Sequence, residues 1–390
     1  MNVQRERGFS VLEAIVATGL MLIVTASLFS LMHPARGAFA AEPEVSDMQQ
    51  RLRVAADRLA TDLIMAGAGA YQWPHSGPLV YFLPPVLPFR QGATKDDPPG
   101  TFASDRITII SVPSTTAQTT LASGLSGATA AFTPAVESDC PLEPATGQPA
   151  ALCGFARNQT VLVYDGTGSY ALYTITAVVD STATLTAKMP ADADSATFAA
   201  GSKIVEASSH TYSLKSDSSQ LMLAEGAGND VPVVDNVVGL QFDYYGEALP
   251  PMVRRSLSNV PATTYGPAPS DVAAAPWDAF ENCIFASGTV PSPKLPVLGG
   301  GTPGLVLLTA AELTDGPFCP DNTNPNRWDA DLLRIRKIGV TLRVQTAAAA
   351  LRGPAGVLFR RGGTTAGGFR WVPDQEVRFE ISPRNLNLAR

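Results

Sequence analysis

The hydrophobic pattern begins with one long apolar run at the N-terminus. Residues 9–32 are mostly apolar over 24 positions, and a helix of that length rises about 36 Å, enough to cross a hydrocarbon core of about 30 Å. We therefore predict a transmembrane helix over 9–33, weakened at its end by Pro34 and Gly37. Glu13 is the one ionised side chain in the run, and a carboxylate in such a place needs a partner.

A second, amphipathic helix is predicted within 34–70, after a linker. Its apolar positions recur at steps of three or four residues and form one stripe: Met48, Leu52, Ala55, Leu59 and Leu63. Ser46 and Gln49 have the spacing of a capping box, which predicts that this helix begins at Ser46. The residues from 34 to 43 predict a kink or a locally unwound segment between the two helices.

From residue 71 the pattern changes to alternation with turn residues, which is typical of strands. The predicted strands are 106–112, 160–164, 170–179, 183–187, 203–214, 220–224, 233–245, 332–346 and 376–381. Strands 203–214 and 220–224 are expected to pair. Residues 246–330 hold 13 of the chain's 32 prolines, so we expect a long ordered insertion without regular strands there.

These elements predict an α+β fold in which a long N-terminal helix packs on an antiparallel sheet. The predicted organisation is a leader at 1–8, the transmembrane helix at 9–33, a linker and amphipathic helix at 34–70, a β-rich domain at 71–245, the insertion at 246–330 and C-terminal strands that complete the sheet at 331–390.

The charged residues on either side of the predicted membrane helix indicate its orientation in the membrane. Before the helix, residues 1–8 contain two arginines, Arg5 and Arg7, and one acidic residue, Glu6. After the helix come three acidic residues, Glu42, Glu44 and Asp47. This asymmetry predicts a cytoplasmic N-terminus and a C-terminal part outside the membrane. The net charge of −7 is unlike the basic surface of a nucleic-acid-binding protein, so no nucleic-acid partner is expected.

Four cysteines, an even number, suggest disulfides in an exported chain. Three connectivities are open, and we favour Cys140–Cys153 with Cys283–Cys319 because each pair brackets one loop rich in proline and glycine. A metal site is the alternative, although no two cysteines have Cys-x-x-Cys spacing.

The sequence contains no convincing catalytic motif and one weak candidate for an ion site. His210 lies in a strand pattern and His75 in a loop pattern, and neither is near a nucleophile-elbow motif, so we do not expect an enzyme. Segment 321–331 offers oxygen ligands at close spacing, which suit calcium. The candidate ligands are Asp321, Asn322, Asp329 and Asp331. The segment lacks the glycine and glutamate of an EF-hand loop, and such residues are also common turn formers.

The run Gly8-Phe9-Ser10-Val11-Leu12-Glu13 resembles the processing site of type IV prepilins and of type II secretion pseudopilins. The resemblance implies that a membrane peptidase cleaves after Gly8 and methylates the new N-terminus at Phe9. It further implies that Glu13 pairs with the N-terminal amine of a neighbouring subunit and sets the subunit register. A buried pair of this kind can fix register better than it adds stability.

Later stretches resemble PilW-like minor pilins, at 49–69, 237–245, 334–342 and 384–386. Type II secretion pseudopilin J is similar in its order of helix and strands. The resemblance implies a pilin-like fold and a minor subunit of a type IV pilus, anchored once in the inner membrane before it joins the filament. Its implied partners are other pilins, prepilin peptidase, the inner-membrane assembly platform and membrane lipid. A type II secretion pseudopilin, or a pilus-tip adhesin that binds a ligand through 71–330, remains an open alternative.

Overall fold

The structure is a computed structural model of the chain. It describes residues 8–69, 77–91, 97–127, 129–187, 197–226, 229–252, 265–289, 291–324, 326–365 and 371–387. The chain forms two compact units. The first unit comprises Met1–Arg51 and Val344–Gln375, and the second comprises Leu52–Arg343 and Glu376–Arg390.

One helix, α1, runs from Val11 to Met65 over 55 residues. The predicted unwound segment between 34 and 43 and the predicted helix start at Ser46 are therefore wrong. A proline inside a helix removes a single backbone hydrogen bond, and helical turns precede and follow these positions. The predicted apolar stripe is largely buried, at Met48, Ala55, Leu59 and Leu63. Burial of that stripe stabilises the helix more than propensity does.

The other regular elements of the described residues are strands of two to 11 residues and 3₁₀ turns. The first ten strands are β1 (Val86–Leu87), β2 (Arg106–Ser111), β3 (Gln118–Thr120), β4 (Leu125–Ser126), β5 (Thr129–Phe132), β6 (Thr160–Tyr164), β7 (Tyr170–Val179), β8 (Thr182–Ala187), β9 (Thr197–Phe198) and β10 (Lys203–Glu206).

The next eleven strands are β11 (Ser208–Lys215), β12 (Gln220–Glu225), β13 (Val231–Asp235), β14 (Val237–Glu247), β15 (Phe285–Ala286), β16 (Ser292–Pro293), β17 (Leu305–Leu308), β18 (Phe318–Cys319), β19 (Trp328–Asp329), β20 (Ile335–Val344) and β21 (Gln375–Ile381). The 3₁₀ turns are Leu79–Tyr81, Gly299–Gly301, Ala330–Arg334, Ala349–Leu351 and Arg384–Leu386. The fold class is α+β, as predicted.

Three larger sheets collect most of the strands. Their strand orders are β1-β2-β11-β12-β13, β3-β10-β6-β7-β8-β5 and β17-β14-β20-β21. The first two sheets are antiparallel throughout. One face of the second sheet covers an apolar core that includes Val161, Val163, Tyr173 and Ile175. These residues alternate along β6 and β7, as the pleat of a strand requires.

Two predicted strands are each divided between two sheets. The predicted strand 203–214 is β10 in the second sheet and β11 in the first, so only β11 pairs with β12. The predicted strand 233–245 is β13 in the first sheet and β14 in the third. Asn236, between β13 and β14, has φ 60°, and asparagine adopts this left-handed conformation more readily than most residues. The sharp change of backbone direction there ends one strand and starts the next.

The expectation that residues 246–330 contain no regular strand is wrong. Five short strands, β15 to β19, lie in the described part of this segment, and β16 includes Pro293. Strand β17 pairs with β14 at the edge of the third sheet. Short strands fit between prolines because proline is tolerated at sheet edges and strand ends. Strands β20 and β21 join the same sheet, as predicted, but residues 345–374 leave the sheet between them.

Candidate functional site at the start of the N-terminal helix

The start of α1 is a reciprocal pair of hydrogen bonds between Ser10 and Glu13. The backbone N–H of Ser10 donates to Oε2 of Glu13 at 2.9 Å, and the N–H of Glu13 donates to Oγ of Ser10 at 3.1 Å. This is a capping box, which satisfies two backbone donors that a helix start leaves free. The sequence analysis assigned a capping box to Ser46 and Gln49, but those residues lie inside α1.

The helix that follows this pair presents an apolar surface to its surroundings. The stretch Val11–Ser30 is long and apolar enough to cross a membrane, and Phe9, just before it, is 92% exposed. Gly8 is exposed as well, and a Cβ added there would meet no atom within 4 Å. An apolar surface of this size marks a site of contact with a membrane or with other proteins.

A second polar site lies in the second unit, where the last turns of α1 meet β11. Oδ2 of Asp62 lies 2.7 Å from Nδ1 of His210 and accepts a hydrogen bond from the Tyr212 hydroxyl at 2.5 Å. Nε2 of His210 lies 3.0 Å from Oγ of Ser208. Residues 208, 210 and 212 share one face of β11, since side chains alternate along a strand. We call Asp62, Ser208, His210 and Tyr212 the helix–sheet clasp.

Burial alone would raise the pKa of Asp62. The hydrogen bonds from His210 and Tyr212, together with the charges of His210 and Arg58, outweigh burial and hold the pKa of Asp62 below its ordinary value. The clasp therefore keeps a half-buried carboxylate ionised.

The clasp has the connectivity of a Ser-His-Asp relay, and His210 lies on a strand, as its sequence pattern predicted. A hydrolase also needs donors for an oxyanion and a cavity for its substrate. A groove of 340 Å³ beside Ala41 and one of 540 Å³ beside Cys283 lie in the described part of the chain, and neither is lined by Ser208 or His210. The contacts of the clasp join α1 to β11. His75 lies outside the described residues.

The four predicted calcium ligands do not come together as one group. Oxygens of Asp329, Asp331 and Asp315 lie within 4.8 Å of one another, and Asp321 is not among them. Oδ1 of Asp321 instead accepts bonds from the backbone N–H groups of Thr323 and Asn324 at 2.7 and 2.9 Å. This is the turn-forming role that aspartate often takes.

The two buried carboxylates of that group already have protein partners. Asp329 accepts from the N–H groups of Gly316 at 2.7 Å and Asp331 at 2.8 Å, and Asp331 pairs with Arg334 at 2.5 Å. Burial is the largest influence on both, and it raises the pKa of Asp329 to about 6 and that of Asp331 to about 7. No ion is needed to account for their positions.

Two buried arginines escaped the sequence analysis. Arg334 is fully buried, and its guanidinium donates to the carbonyls of Glu247, Ala248 and Pro296. Arg336 donates to Oε1 of Glu247 at 3.2 Å. The one sequence signal for their burial is that both arginines lie at the start of an otherwise apolar strand pattern.

The favoured cysteine pairs both form disulfides. Cys140 is bonded to Cys153, and Cys283 is bonded to Cys319. The first bond lies in the core under the second sheet. The second bond joins Cys283 to Cys319 of β18 and closes a loop inside the 246–330 segment, with a sequence separation of 36 residues.

Comparison of the whole chain with protein-family models, with curated proteins and with solved structures finds no match. The functional argument therefore depends on the residues and their arrangement.

Proposed function

We propose that the chain is a minor pilin-like subunit of a type IV pilus system. In this proposal, prepilin peptidase cleaves after Gly8 and methylates Phe9. The apolar part of α1 anchors the subunit in the inner membrane and then packs among the helices of partner subunits. The role is structural, in the initiation, assembly or tip of the filament, and not enzymatic.

The arrangement of Glu13 carries the proposal. Its carboxylate lies in the first turn of an exposed apolar helix and accepts a hydrogen bond from the N–H of Ser10, one residue after the proposed N-terminus at Phe9. A carboxylate is unfavourable among apolar helices unless a cation joins it. The amine that cleavage after Gly8 would create on a neighbouring subunit is such a cation.

The size of the second unit supports a minor subunit. It holds almost all of the strands, including those of the 246–330 segment. A bulky part with long excursions is difficult to repeat along a tightly packed fibre, whereas a single copy at a tip meets no such restriction.

Intact-mass and N-terminal peptide analysis of membrane-extracted protein tests the proposal. We expect a chain that begins at N-methylated Phe9, and that begins at Met1 when prepilin peptidase is absent. Gly8→Lys is the matched control, because the structure leaves open space at Gly8 and lost processing would then report peptidase recognition. A chain that begins at Met1 in both strains, or one cut at a position other than Gly8, would overturn the proposal.

A further inference from the structure

The first unit contains a folded loop that carries an unusual surface. Residues 344–375 contain four arginines and one aspartate, a net charge of +3 in a chain whose net charge is −7. Within this segment, Pro354, Ala355, Gly356, Val357 and Leu358 are five consecutive exposed residues without a polar side chain. We call 354–358 the apolar tip. An exposed apolar run of this length is unfavourable in water and indicates a binding role.

The apolar tip is held in place by hydrogen bonds and by a buried aromatic ring. The N–H of Gly356 donates to the carbonyl of Phe359 at 2.8 Å, and the N–H of Asp374 donates to that of Leu358 at 3.0 Å. Phe359 is buried, and its ring meets the ring of Trp371 edge to face at 5.8 Å. Because these contacts fix the loop, Val357 remains 92% exposed as part of a folded surface.

The loop is anchored on α1 within the same unit. Oε2 of Glu44 accepts from Oγ1 of Thr346 at 2.5 Å and from the N–H of Ala347 at 3.0 Å. Farther along the segment, Trp371 and neighbouring residues line a groove of 340 Å³ with Ala41 and Val45. Ala41 is one helical turn closer than Glu44 to the apolar stretch Val11–Ser30.

Cationic and aromatic side chains flank the apolar tip. Arg360 is exposed and Arg361 half-buried, and together we call them the arginine pair. Trp371, whose ring meets that of Phe359, is 43% exposed. Aromatic rings and arginines beside aliphatic side chains are the composition that membrane interfaces favour, since the rings enter the headgroup layer and the guanidinium groups meet lipid phosphates.

The apolar tip lies beside the groove that this loop forms with α1. Asp374, whose N–H donates to the carbonyl of Leu358 at 3.0 Å, stands between the groove residues Pro373 and Gln375. Ala41, on the α1 side of the groove, follows Ser30 by 11 residues, so it lies about 16 Å beyond the apolar stretch along the helix axis. The tip is therefore held at the part of α1 that follows the proposed membrane span.

We propose that the apolar tip inserts into the headgroup layer of an anionic phospholipid membrane and that the arginine pair binds the lipid phosphates. This surface would dock the first unit on the membrane while the subunit is anchored there. The inference rests on the membrane span of the proposed function, and it adds a second attachment point.

Depth-resolved electron paramagnetic resonance on the full chain in proteoliposomes tests this. The four native cysteines are paired, so Val357→Cys introduces one reactive thiol for a nitroxide. With anionic lipid, we expect oxygen to relax the label at 357 more, and a soluble nickel chelate to relax it less, than a label at Val136→Cys, an exposed position in the second unit. Arg360→Gln and Arg361→Gln should each lower the ratio of inserted to free tip about fivefold, and purely zwitterionic lipid, which removes the attraction of both arginines, should lower it about 25-fold.

A label at Leu20→Cys separates failure of this inference from failure of the membrane span. If the label at 20 is deep and the label at 357 behaves as the label at 136 in every lipid, the lipid surface is wrong while the anchor stands. If the label at 20 is itself in water, the span and the proposed function fail. Immobilisation of the label at 357 only when partner subunits are added would assign this surface to a protein and overturn the lipid proposal.

Discussion

Nδ1 of His210 lies 2.7 Å from Oδ2 of Asp62, and this contact joins the end of α1 to a strand 148 residues later in the chain. Burial of Leu59 and Leu63 stabilises the packing of the helix, but the hydrophobic effect is non-directional and does not fix the orientation of the helix. The hydrogen bonds of Asp62 are directional. They fix which face of the helix contacts β11 and the position of the helix along its axis relative to that strand.

Replacement of Asp62 by asparagine should lower the free energy of unfolding by about 1–3 kcal/mol at neutral pH, because a charge-assisted hydrogen bond is lost inside a half-buried cluster. Urea unfolding of the detergent-solubilised chain measures this. Asp57→Asn, on an exposed position of the same helix, is the control and should change the value by less than about 0.5 kcal/mol.

The same variant has a defined pH dependence. The pKa of folded Asp62 lies below its ordinary value, so its ionised form contributes stability above the unfolded pKa of about 3.9 and loses it as the pH falls through the folded pKa. The stability difference between wild type and Asp62→Asn should therefore shrink below about pH 4. A constant difference from pH 7 down to pH 2.5 would contradict this account.

The local elements of the fold were largely predictable, and the long-range ones were not. Strands β6 and β7 have the predicted bounds because apolar, β-branched runs favour strands wherever they pack. The pairing partner of each strand was harder to predict. Nothing in the local sequence of 203–214 indicates that β10 and β11 belong to different sheets. The clasp could not be predicted, because the contact between Asp62 and His210 exists only in the tertiary structure.

Asp329 should show the opposite pH dependence to Asp62. Burial raises its pKa to about 6, so the folded state binds a proton more tightly than the unfolded state. Its contribution to stability is then largest below about pH 4 and falls as the pH rises to about 6. Relative to Asp329→Asn, the wild type should lose on the order of 3 kcal/mol between pH 4 and pH 7.5. Urea titrations at both pH values measure this, and equal differences at both would show that Asp329 does not titrate there.

The Cys283–Cys319 disulfide should limit proteolysis of the 246–330 segment. Its loop has a sequence separation of 36 residues, against 13 for Cys140–Cys153, and a longer loop confines the unfolded chain more. We expect the Cys283→Ser/Cys319→Ser pair to lower stability by about 1 kcal/mol more than the Cys140→Ser/Cys153→Ser pair. Limited proteolysis with mass mapping should find new cuts within 246–330. Cuts elsewhere first would contradict this role.

Arg334 should be among the most sensitive positions in the second unit. Arg334→Met would remove the hydrogen bonds to the carbonyls of Glu247, Ala248 and Pro296, and it would remove the cation that lowers the pKa of Asp331, at a loss of about 3–5 kcal/mol. Asp331 would then take up a proton, so we expect the loss in the double variant Asp331→Asn/Arg334→Met to be smaller than the sum of the losses in the two single variants. Arg378→Met, an exposed position, is the control. Thermal unfolding of Asp331→Asn, Arg334→Met and the double variant measures the coupling, and additive losses would show that Arg334 and Asp331 act separately.

Glu13 has two roles that single substitutions can separate. Glu13→Gln keeps an oxygen that accepts from the N–H of Ser10 but removes the charge, whereas Ser10→Ala removes the hydroxyl cap and keeps the charge. If charge pairing with a neighbouring amine drives assembly, Glu13→Gln should be processed normally yet be lost from sheared filaments. Ser10→Ala should loosen only the helix start, by about 1 kcal/mol, and still enter filaments. Immunoblots of sheared and membrane fractions measure both. Equal loss from filaments in the two variants would assign the role of Glu13 to helix capping.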